Sequence, residues 1–85
     1  MSDIILVTGA SGYLGRNIVR ELIERGHKAR GLTRSDTSSD LIMRLGGEPV
    51  RGDIMDKASL EAAMRNVGAL VHAAADTITG VRRKN

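Results

Sequence analysis

Three glycines at intervals of three residues follow directly on a short apolar run near the start of the chain. The run from Ile4 to Val7 is rich in β-branched residues and ends at Thr8, a pattern that is typical of a central parallel strand covered on both faces. Beyond the glycines, apolar residues recur at helical spacing from Tyr13 to Arg25, and Gly26 marks a helix end. The sequence TGASGYLG at positions 8–15 therefore predicts a sharp turn that leads from a buried strand into a helix.

Each of the three glycines has a separate physical role in such a turn. Gly9 can adopt the backbone conformation that a sharp turn off the strand requires, and Gly15 lets the helix pack close to the sheet. Gly12 leaves main-chain amides bare, so that a diphosphate can approach them at the positive end of the helix dipole. The motif thus predicts a dinucleotide-binding turn. The alternative is a glycine-rich turn that merely connects the strand to the helix.

The remainder of the chain alternates between strand and helix patterns. Further strands are predicted at residues 28–33, 48–51 and 69–73, and further helices at residues 36–45 and from 57 to about 66. Asp36 to Ser39 supply candidate N-caps for the second helix, and Asp56 is the predicted N-cap of the third. Strands and helices of this length form right-handed crossovers. The predicted fold class is therefore α/β: a three-layer half domain with a parallel sheet, βαβαβαβ, in the strand order 3-2-1-4.

Composition and charge narrow the classes of function. The 85 residues suit one compact domain, predicted at residues 1–78, with a loose basic tail at residues 79–85. The tail accounts for the net charge of +3, since residues 1–81 hold ten basic and ten acidic side chains, and Tyr13 is the only aromatic residue. Nucleic-acid binding is therefore not predicted. Because the chain has no apolar run of the ~20 residues of a membrane span, no secretory signal at its start and no cysteine, the cytoplasm is the predicted location and no membrane partner is expected.

Three segments of the chain resemble one known family. Residues 8–15 resemble the T-G-x-x-G-x-x-G fingerprint of the extended and atypical short-chain dehydrogenase/reductases, a family that includes nucleotide-sugar epimerases and NAD(P)H-dependent reductases. The Gly-Asp-Ile triplet at residues 52–54 is similar to the family's adenine-contacting pair of an Asp and an apolar residue, and residues 71–75 are similar to its fourth-strand motif. The resemblance covers residues 4–76 and implies the N-terminal, NAD(P)-binding Rossmann-like half of such a protein.

The candidate cofactor-binding residues lie in the glycine turn and at the ends of the later strands. They are Gly9, Ser11, Gly12, Tyr13, Leu14, Gly15, Arg34, Ser35, Asp53, Ile54, Ala73, Ala74 and Ala75. Cofactor choice is set at the end of the second strand, where NAD binders place an acidic residue against the ribose 2′-hydroxyl. The guanidinium of Arg34 can donate paired, charge-assisted hydrogen bonds to a 2′-phosphate, and Ser35 can donate one from its hydroxyl. NADP is therefore predicted in preference to NAD. Asp36 keeps NAD as the alternative, because a shift of the loop by two residues would put its carboxylate in the acidic position. Arg16 either adds a contact to the phosphate or is an ordinary solvated helix charge.

The residues that run the reaction in this family are not found in the chain. The resemblance implies a Tyr-x-x-x-Lys pair in the second half of the fold, but Tyr13 is the only tyrosine and residue 17 is asparagine. We therefore predict no catalytic residue here, and we interpret Asp53 as an adenine contact rather than a general base. His27 and His72 have no clustered Asp, Glu or Cys at ligand spacing, so no metal site is predicted and both are interpreted as structural.

Two interpretations of the whole chain remain. It is either the nucleotide-binding portion of an NADP-dependent oxidoreductase or epimerase, or a stand-alone module that binds a dinucleotide or forms oligomers without catalysis. In both cases a parallel sheet that stops after its fourth strand leaves an open edge and apolar surface. We predict that a second copy of the chain covers this edge in a homodimer that forms on the side of the fourth strand. The alternative is that a different chain covers it. Met43, Met55 and Met64 are interpreted as core or interface filler.

Overall fold

A computed structural model describes residues 4–73 of the chain. Within this range, strands and helices alternate in the order β1 (Ile4–Thr8), α1 (Tyr13–Glu24), β2 (Lys28–Thr33), α2 (Asp36–Arg44), β3 (Glu48–Arg51), α3 (Lys57–Ala63) and β4 (Val67–His72). The strands pair in parallel, and the sheet has the order β3-β2-β1-β4. The predicted α/β class, the alternation of elements and the strand order are confirmed.

The sheet is covered on both faces, which makes three layers. On one face, α1 and α2 pack over a core that includes Val7 and Ile42. On the other face, α3 packs over a smaller core that includes Leu6 and Ala63. Because β1 is paired on both sides and its successive residues point into opposite cores, its unbroken apolar run is explained. No helix among residues 4–73 combines the length and the hydropathy that crossing a lipid bilayer requires.

The parallel arrangement brings the ends of all four strands to one edge of the sheet. Thr8 at the end of β1 pairs in register with His72 of β4, and Thr33 at the end of β2 pairs with Arg51 of β3. The glycine turn, the β2–α2 loop and the β3–α3 loop therefore start side by side. In open parallel α/β sheets, ligands bind at this carboxyl edge, so the topology directs attention to these loops.

The second helix has its N-cap one residue before the predicted segment. Ser35 is the N-cap, and its hydroxyl accepts a hydrogen bond of 3.1 Å from the main-chain amide of Ser38, while Asp36 is the first helical residue. The prediction of an N-cap within residues 36–39 is therefore wrong. Serine and aspartate cap helices about equally well, so residue preference alone could not choose between neighbouring candidates.

The third helix is shorter, and the fourth strand starts earlier, than the sequence predicted. α3 ends at Ala63 rather than near Asn66, and β4 begins at Val67 rather than Ala69. Asn66 has a φ of 64°, a left-handed conformation in which a helix cannot continue. Val67 still packs beside α3 in the smaller core, which is why its apolar spacing suited a longer helix.

A buried arginine joins the third helix to the sheet. Arg30 lies in β2, where only 9% of the residue is exposed. Its Nη1 donates hydrogen bonds of 2.7 Å to the carbonyl oxygens of Ala63 and Arg65, and its Nε donates one of 3.0 Å to Oε1 of Glu48 on the neighbouring strand. The end of a helix leaves carbonyl oxygens without intrahelical partners, and the guanidinium supplies a partner for that of Ala63, the last residue of α3, and for that of Arg65 in the turn that follows.

Candidate cofactor-binding site

A cavity of about 510 Å³ opens at the carboxyl edge of the sheet. Its walls come from the glycine turn, from the loops that follow β2 and β3, and from the end of β4. The predicted site residues that line it are Gly9, Ser11, Arg34, Ser35, Asp53 and Ile54. The fold thus brings candidates from three separate segments of the chain into one cavity.

The glycine turn is held by close packing of its own main chain. Gly9 has a φ of 69°, which favours glycine, and its carbonyl oxygen accepts a hydrogen bond of 3.2 Å from the amide of Gly12. A Cβ atom on Gly15 would lie 1.9 Å from the same carbonyl oxygen. The first turn of α1 therefore approaches the loop only because residue 15 has no side chain, in agreement with the structural roles predicted for the first and third glycines.

Gly12 differs from the other two motif glycines, because no neighbour in the described chain requires a glycine there. Its φ of −74° suits any residue, and an added Cβ would meet the Gly9 carbonyl oxygen at 3.5 Å, an ordinary contact. Gly12 is also the N-cap of α1, and no side chain caps that helix. The amides of the first turn accordingly depend on partners from outside the helix, and the space at Gly12 leaves room for one to approach.

The two charged residues that follow β2 have different surroundings. Arg34 lines the cavity with a side chain that is 77% exposed, and its Nη1 lies 3.6 Å from Oδ2 of Asp53. Asp36 does not line the cavity, and its Oδ1 accepts a hydrogen bond of 2.6 Å from Nη1 of Arg51. The alternative in which Asp36 takes the acidic position of an NAD binder would require that ion pair to break.

Hydrogen bonds hold Asp53 in a defined position on the cavity wall. Its Oδ1 accepts a hydrogen bond of 2.9 Å from the amide of Met55. Its main-chain amide donates to Oγ of Ser59 at 3.0 Å, and its carbonyl oxygen accepts from the same hydroxyl at 3.0 Å. One carboxylate oxygen is thereby engaged within the loop, whereas the other, Oδ2, faces Arg34.

The remaining candidates lie beside the cavity or outside the described residues. Those that do not line it are Gly12, Tyr13, Leu14, Gly15 and Ala73. Leu14 and Ala73 belong to the larger core, and Gly15 is buried beneath the turn. A cofactor contact by these three residues would come from their main chains and stays a prediction. Ala74 and Ala75 lie outside the described residues.

Tyr13 and Arg16 face outward from the first turn of α1. Tyr13 is 77% exposed, and the guanidinium carbon of Arg16 lies 6.0 Å from the centre of its ring, at the outer limit of a cation–π contact. Arg16 is thus a half-buried helix charge beside an aromatic ring. Its contact to a phosphate stays a prediction.

Several lining residues were not among the sequence candidates. They are Leu32, Ser38, Gly52, Met55 and His72. Met55 is 86% exposed, and Met43 and Met64 are also well exposed, so the interpretation of these methionines as core residues is wrong, while their alternative role at an interface stays a prediction. Hydropathy alone does not distinguish a methionine in a loop beside a cavity from one in a core, whereas the position of Met55 directly after the Gly-Asp-Ile triplet could have indicated it.

His72 is part of a link between two strand ends. Its Nδ1 shares a hydrogen bond with the hydroxyl of Thr8, so that β4 and β1 are joined by side chains as well as by their main chains. Among residues 4–73, no group of three or more His, Cys, Asp and Glu side chains is arranged to hold a metal ion. The contact gives His72 a structural role at the edge of the cavity.

Comparison with known proteins places this arrangement in a family. The model of the "NAD dependent epimerase/dehydratase family" matches residues 5–85. The decarboxylating sterol-4-alpha-carboxylate 3-dehydrogenase of Dictyostelium discoideum is 37% identical over 71 residues, which make up 84% of this chain and 22% of that protein. The chain therefore spans about a fifth of the length of the curated relatives that it matches.

Two solved structures show the same fold with bound nucleotides. AtPrR2, solved with NADP+ and (+)pinoresinol, is 31% identical with a TM-score of 0.75, and the match covers 88% of this chain and 27% of that one. A short-chain dehydrogenase/reductase superfamily protein from Agrobacterium tumefaciens, solved with bound NAD, is 35% identical with a TM-score of 0.68, covering 85% of this chain and 20% of that one. On the match to nearly its full length, this chain belongs to the NAD dependent epimerase/dehydratase family.

Proposed function

We propose that this chain is the NADP(H)-binding portion of an oxidoreductase or epimerase of the short-chain dehydrogenase/reductase family. The observation that carries the proposal is the cavity beside the uncapped first turn of α1, with the cationic side chain of Arg34 in its wall. A dinucleotide requires amide donors for its diphosphate, bare main chain at which the diphosphate can approach, and a group that recognises its ribose. Gly12 and the first turn of α1 supply the first two, and Arg34 supplies the third.

The charges around the β2–α2 loop support NADP over NAD. Arg34 is exposed and faces the cavity, whereas the nearby carboxylate of Asp36 is held by Arg51. A 2′-phosphate would gain a charge-assisted hydrogen bond from the guanidinium, and the hydroxyls of Ser35 and Ser38 line the same wall. Asp36, which does not line the cavity, would have to break its exposed ion pair with Arg51 to accept a hydrogen bond from the ribose 2′-hydroxyl of NAD.

Replacing Arg34 with alanine is expected to remove most of the preference for NADPH over NADH. The substitution deletes one charge-assisted contact to the 2′-phosphate, a loss of about 1 to 3 kcal/mol in the binding of NADPH. Binding of NADH, which has no 2′-phosphate, is expected to change little. Calorimetric titration of both cofactors into the wild type and Arg34→Ala measures the difference.

Arg44→Ala is the matched control for this titration. It removes the same charge from the last turn of α2, but Arg44 does not line the cavity. A general electrostatic effect on a charged ligand would weaken NADPH binding in both variants, while the proposed contact is lost in Arg34→Ala alone. Equal affinity of the wild type for NADPH and NADH would contradict the proposed specificity.

We propose further that the chain on its own does not transfer hydride. The Tyr-x-x-x-Lys pair of the resembled family is absent from the sequence, and the curated relatives are four to five times as long as the matched segment. The greater length of the relatives favours a cofactor-binding portion of a longer enzyme over a stand-alone binding module, whereas the missing pair fits both. A Tyr-x-x-x-Lys in a continuation of the reading frame beyond Asn85 would support this choice, and its absence there would favour the module.

We propose that a second copy of the chain packs against the open side of β4 and forms a homodimer. Within the described residues β4 is paired with β1 alone, and Leu70 on this strand is 47% exposed. Unpaired strand edges and exposed apolar side chains promote association. Light scattering is expected to give a mass about twice the 9.1 kDa of the chain, and Leu70→Lys is expected to lower it. A wild-type monomer would contradict the homodimer.

A further inference from the structure

Arg34 and Asp53 form an ion pair within the wall of the proposed cofactor cavity. The two residues follow different strands, β2 and β3, yet Nη1 of Arg34 lies 3.6 Å from Oδ2 of Asp53. Both line the same cavity. The guanidinium that would bind a 2′-phosphate therefore already faces an anionic oxygen supplied by the chain itself.

We propose that the Asp53 carboxylate competes with the 2′-phosphate of the cofactor for Arg34, and that Asp53 thereby limits the preference for NADP over NAD. The inference rests on the proposed function, because it takes Arg34 as the group that recognises the 2′-phosphate. The Asp53 carboxylate lies 3.6 Å from the guanidinium nitrogen that the phosphate would approach. Binding of a 2′-phosphorylated nucleotide exchanges one anionic partner of Arg34 for another.

The two partners differ in how firmly they are held. Asp53 is fixed by the hydrogen bonds that join it to Met55 and Ser59. The side chain of Arg34 is 77% exposed, and its Nη1 lies 3.6 Å from Oδ2 of Asp53. The exchange therefore requires rotation of a long, solvated side chain and no rearrangement of the β3–α3 loop.

The size of the effect follows from the exposure of the pair. Ion pairs between exposed side chains stabilise a structure only slightly, so that breaking this one is expected to reduce the affinity for a 2′-phosphorylated nucleotide about two- to fivefold. The phosphate outcompetes the carboxylate, because it carries more negative charge and three acceptor oxygens. Asp53 thus lowers the NADP preference without abolishing it.

Asp53→Asn separates this role from any contact between Asp53 and adenine. Asparagine keeps an Oδ1 acceptor for the amide of Met55, so the loop is expected to stay in place, but it removes the charge that faces Arg34. The probes are 5′-AMP and adenosine 2′,5′-bisphosphate, which share adenine and differ in the 2′-phosphate. A lost adenine contact weakens both nucleotides equally and cancels in the ratio of their dissociation constants. Calorimetric titration of the full chain gives that ratio.

Asp53→Asn is expected to raise the preference for adenosine 2′,5′-bisphosphate over 5′-AMP about two- to fivefold relative to the wild type. Asp36→Asn, which removes the same charge from a carboxylate outside the cavity wall, is expected to leave the preference unchanged. The rise should disappear when Asp53→Asn is combined with Arg34→Ala, because the ion pair no longer exists to be broken.

Three outcomes would overturn the inference. These are an unchanged preference in Asp53→Asn, an equal rise in Asp36→Asn, and an equal rise in the Arg34→Ala background, which would indicate simple repulsion between the carboxylate and the phosphate. Failure of the proposed function has a different signature. In that case Arg34→Ala alone would leave the preference for the 2′-phosphorylated nucleotide at its wild-type value.

Discussion

Gly15→Ala is expected to lower the free energy of unfolding by about 3 kcal/mol or more. The new Cβ atom would lie 1.9 Å from the carbonyl oxygen of Gly9 and 2.7 Å from Cα of Ala10. Both obstacles are main-chain atoms, so the helix and the turn must move apart as units. Alanine has a higher helix propensity than glycine by about 1 kcal/mol, but this gain is smaller than the cost of separating the packed main chains. Urea denaturation followed by circular dichroism measures the change.

Gly12→Ala is the matched control, and it separates stability from ligand binding. The φ of Gly12 and the 3.5 Å that would separate an added Cβ atom from its nearest neighbour accommodate a methyl group, and alanine is a poorer N-cap than glycine, so stability should fall by about 1 kcal/mol or less. The methyl group would, however, lie where the diphosphate is proposed to approach the main chain. NADPH binding is expected to weaken about tenfold or more, the equivalent of one lost charge-assisted hydrogen bond. Full stability together with unchanged NADPH affinity would contradict the proposed binding mode.

Arg30→Met is expected to destabilise the protein by about 2 to 3 kcal/mol. Methionine can occupy the apolar part of the space but donates no hydrogen bond, so the carbonyl oxygens of Ala63 and Arg65 lose a charged donor. Because α3 contributes only a small apolar face to its core, little other packing compensates. Thermal and urea denaturation of the variant would measure the loss, which is expected to exceed that of an ordinary surface substitution.

Glu48→Gln tests whether the effect of Arg30 comes from its ion pair or from its helix contacts. The side chain of Glu48 is 60% exposed, so the charge–charge contribution is expected to be below about 1 kcal/mol. The contacts from Arg30 to the two carbonyl oxygens remain in this variant. If Glu48→Gln destabilised the protein as much as Arg30→Met, the ion pair with Glu48 would account for the stabilising effect of Arg30, and the hydrogen bonds to the two carbonyl oxygens would not.

The regular pattern of the sequence was sufficient to predict the architecture. The apolar run of β1, the helical spacing after the glycines and the alternation that follows indicate the class, and the glycine turn favours the strand order of the doubly wound dinucleotide-binding fold. Because parallel strands end at the same edge of the sheet, this topology alone predicts that the glycine turn, Arg34 and Asp53 lie close together. No side-chain contact has to be known for this prediction. Local signals of this kind are strong because each one depends on residues that are close together in the chain.

The features that the sequence did not predict depend on contacts between distant segments. The role of Arg30 is not visible in the sequence, where it is one polar residue in a predicted strand, because its carbonyl partners are more than thirty residues further along. The end of α3 was missed because an apolar residue at position 67 suits a longer helix, and the left-handed conformation of Asn66 decides otherwise. The pairing of Asp36 with Arg51, which bears on cofactor choice, likewise joins two separate segments, the start of α2 and the end of β3.

Three loops converge at one edge of the sheet, so a ligand that binds there would affect the stability of the whole domain. On the proposed function, a bound dinucleotide would touch segments that the chain itself links mainly through the sheet, and so would act as a non-covalent cross-link among them. A ligand that binds only the folded state, at a hundred times its dissociation constant, adds about 2.7 kcal/mol to stability. For a domain of this size that increment is a large part of the total, so occupancy by the nucleotide would also protect the polypeptide against unfolding and proteolysis.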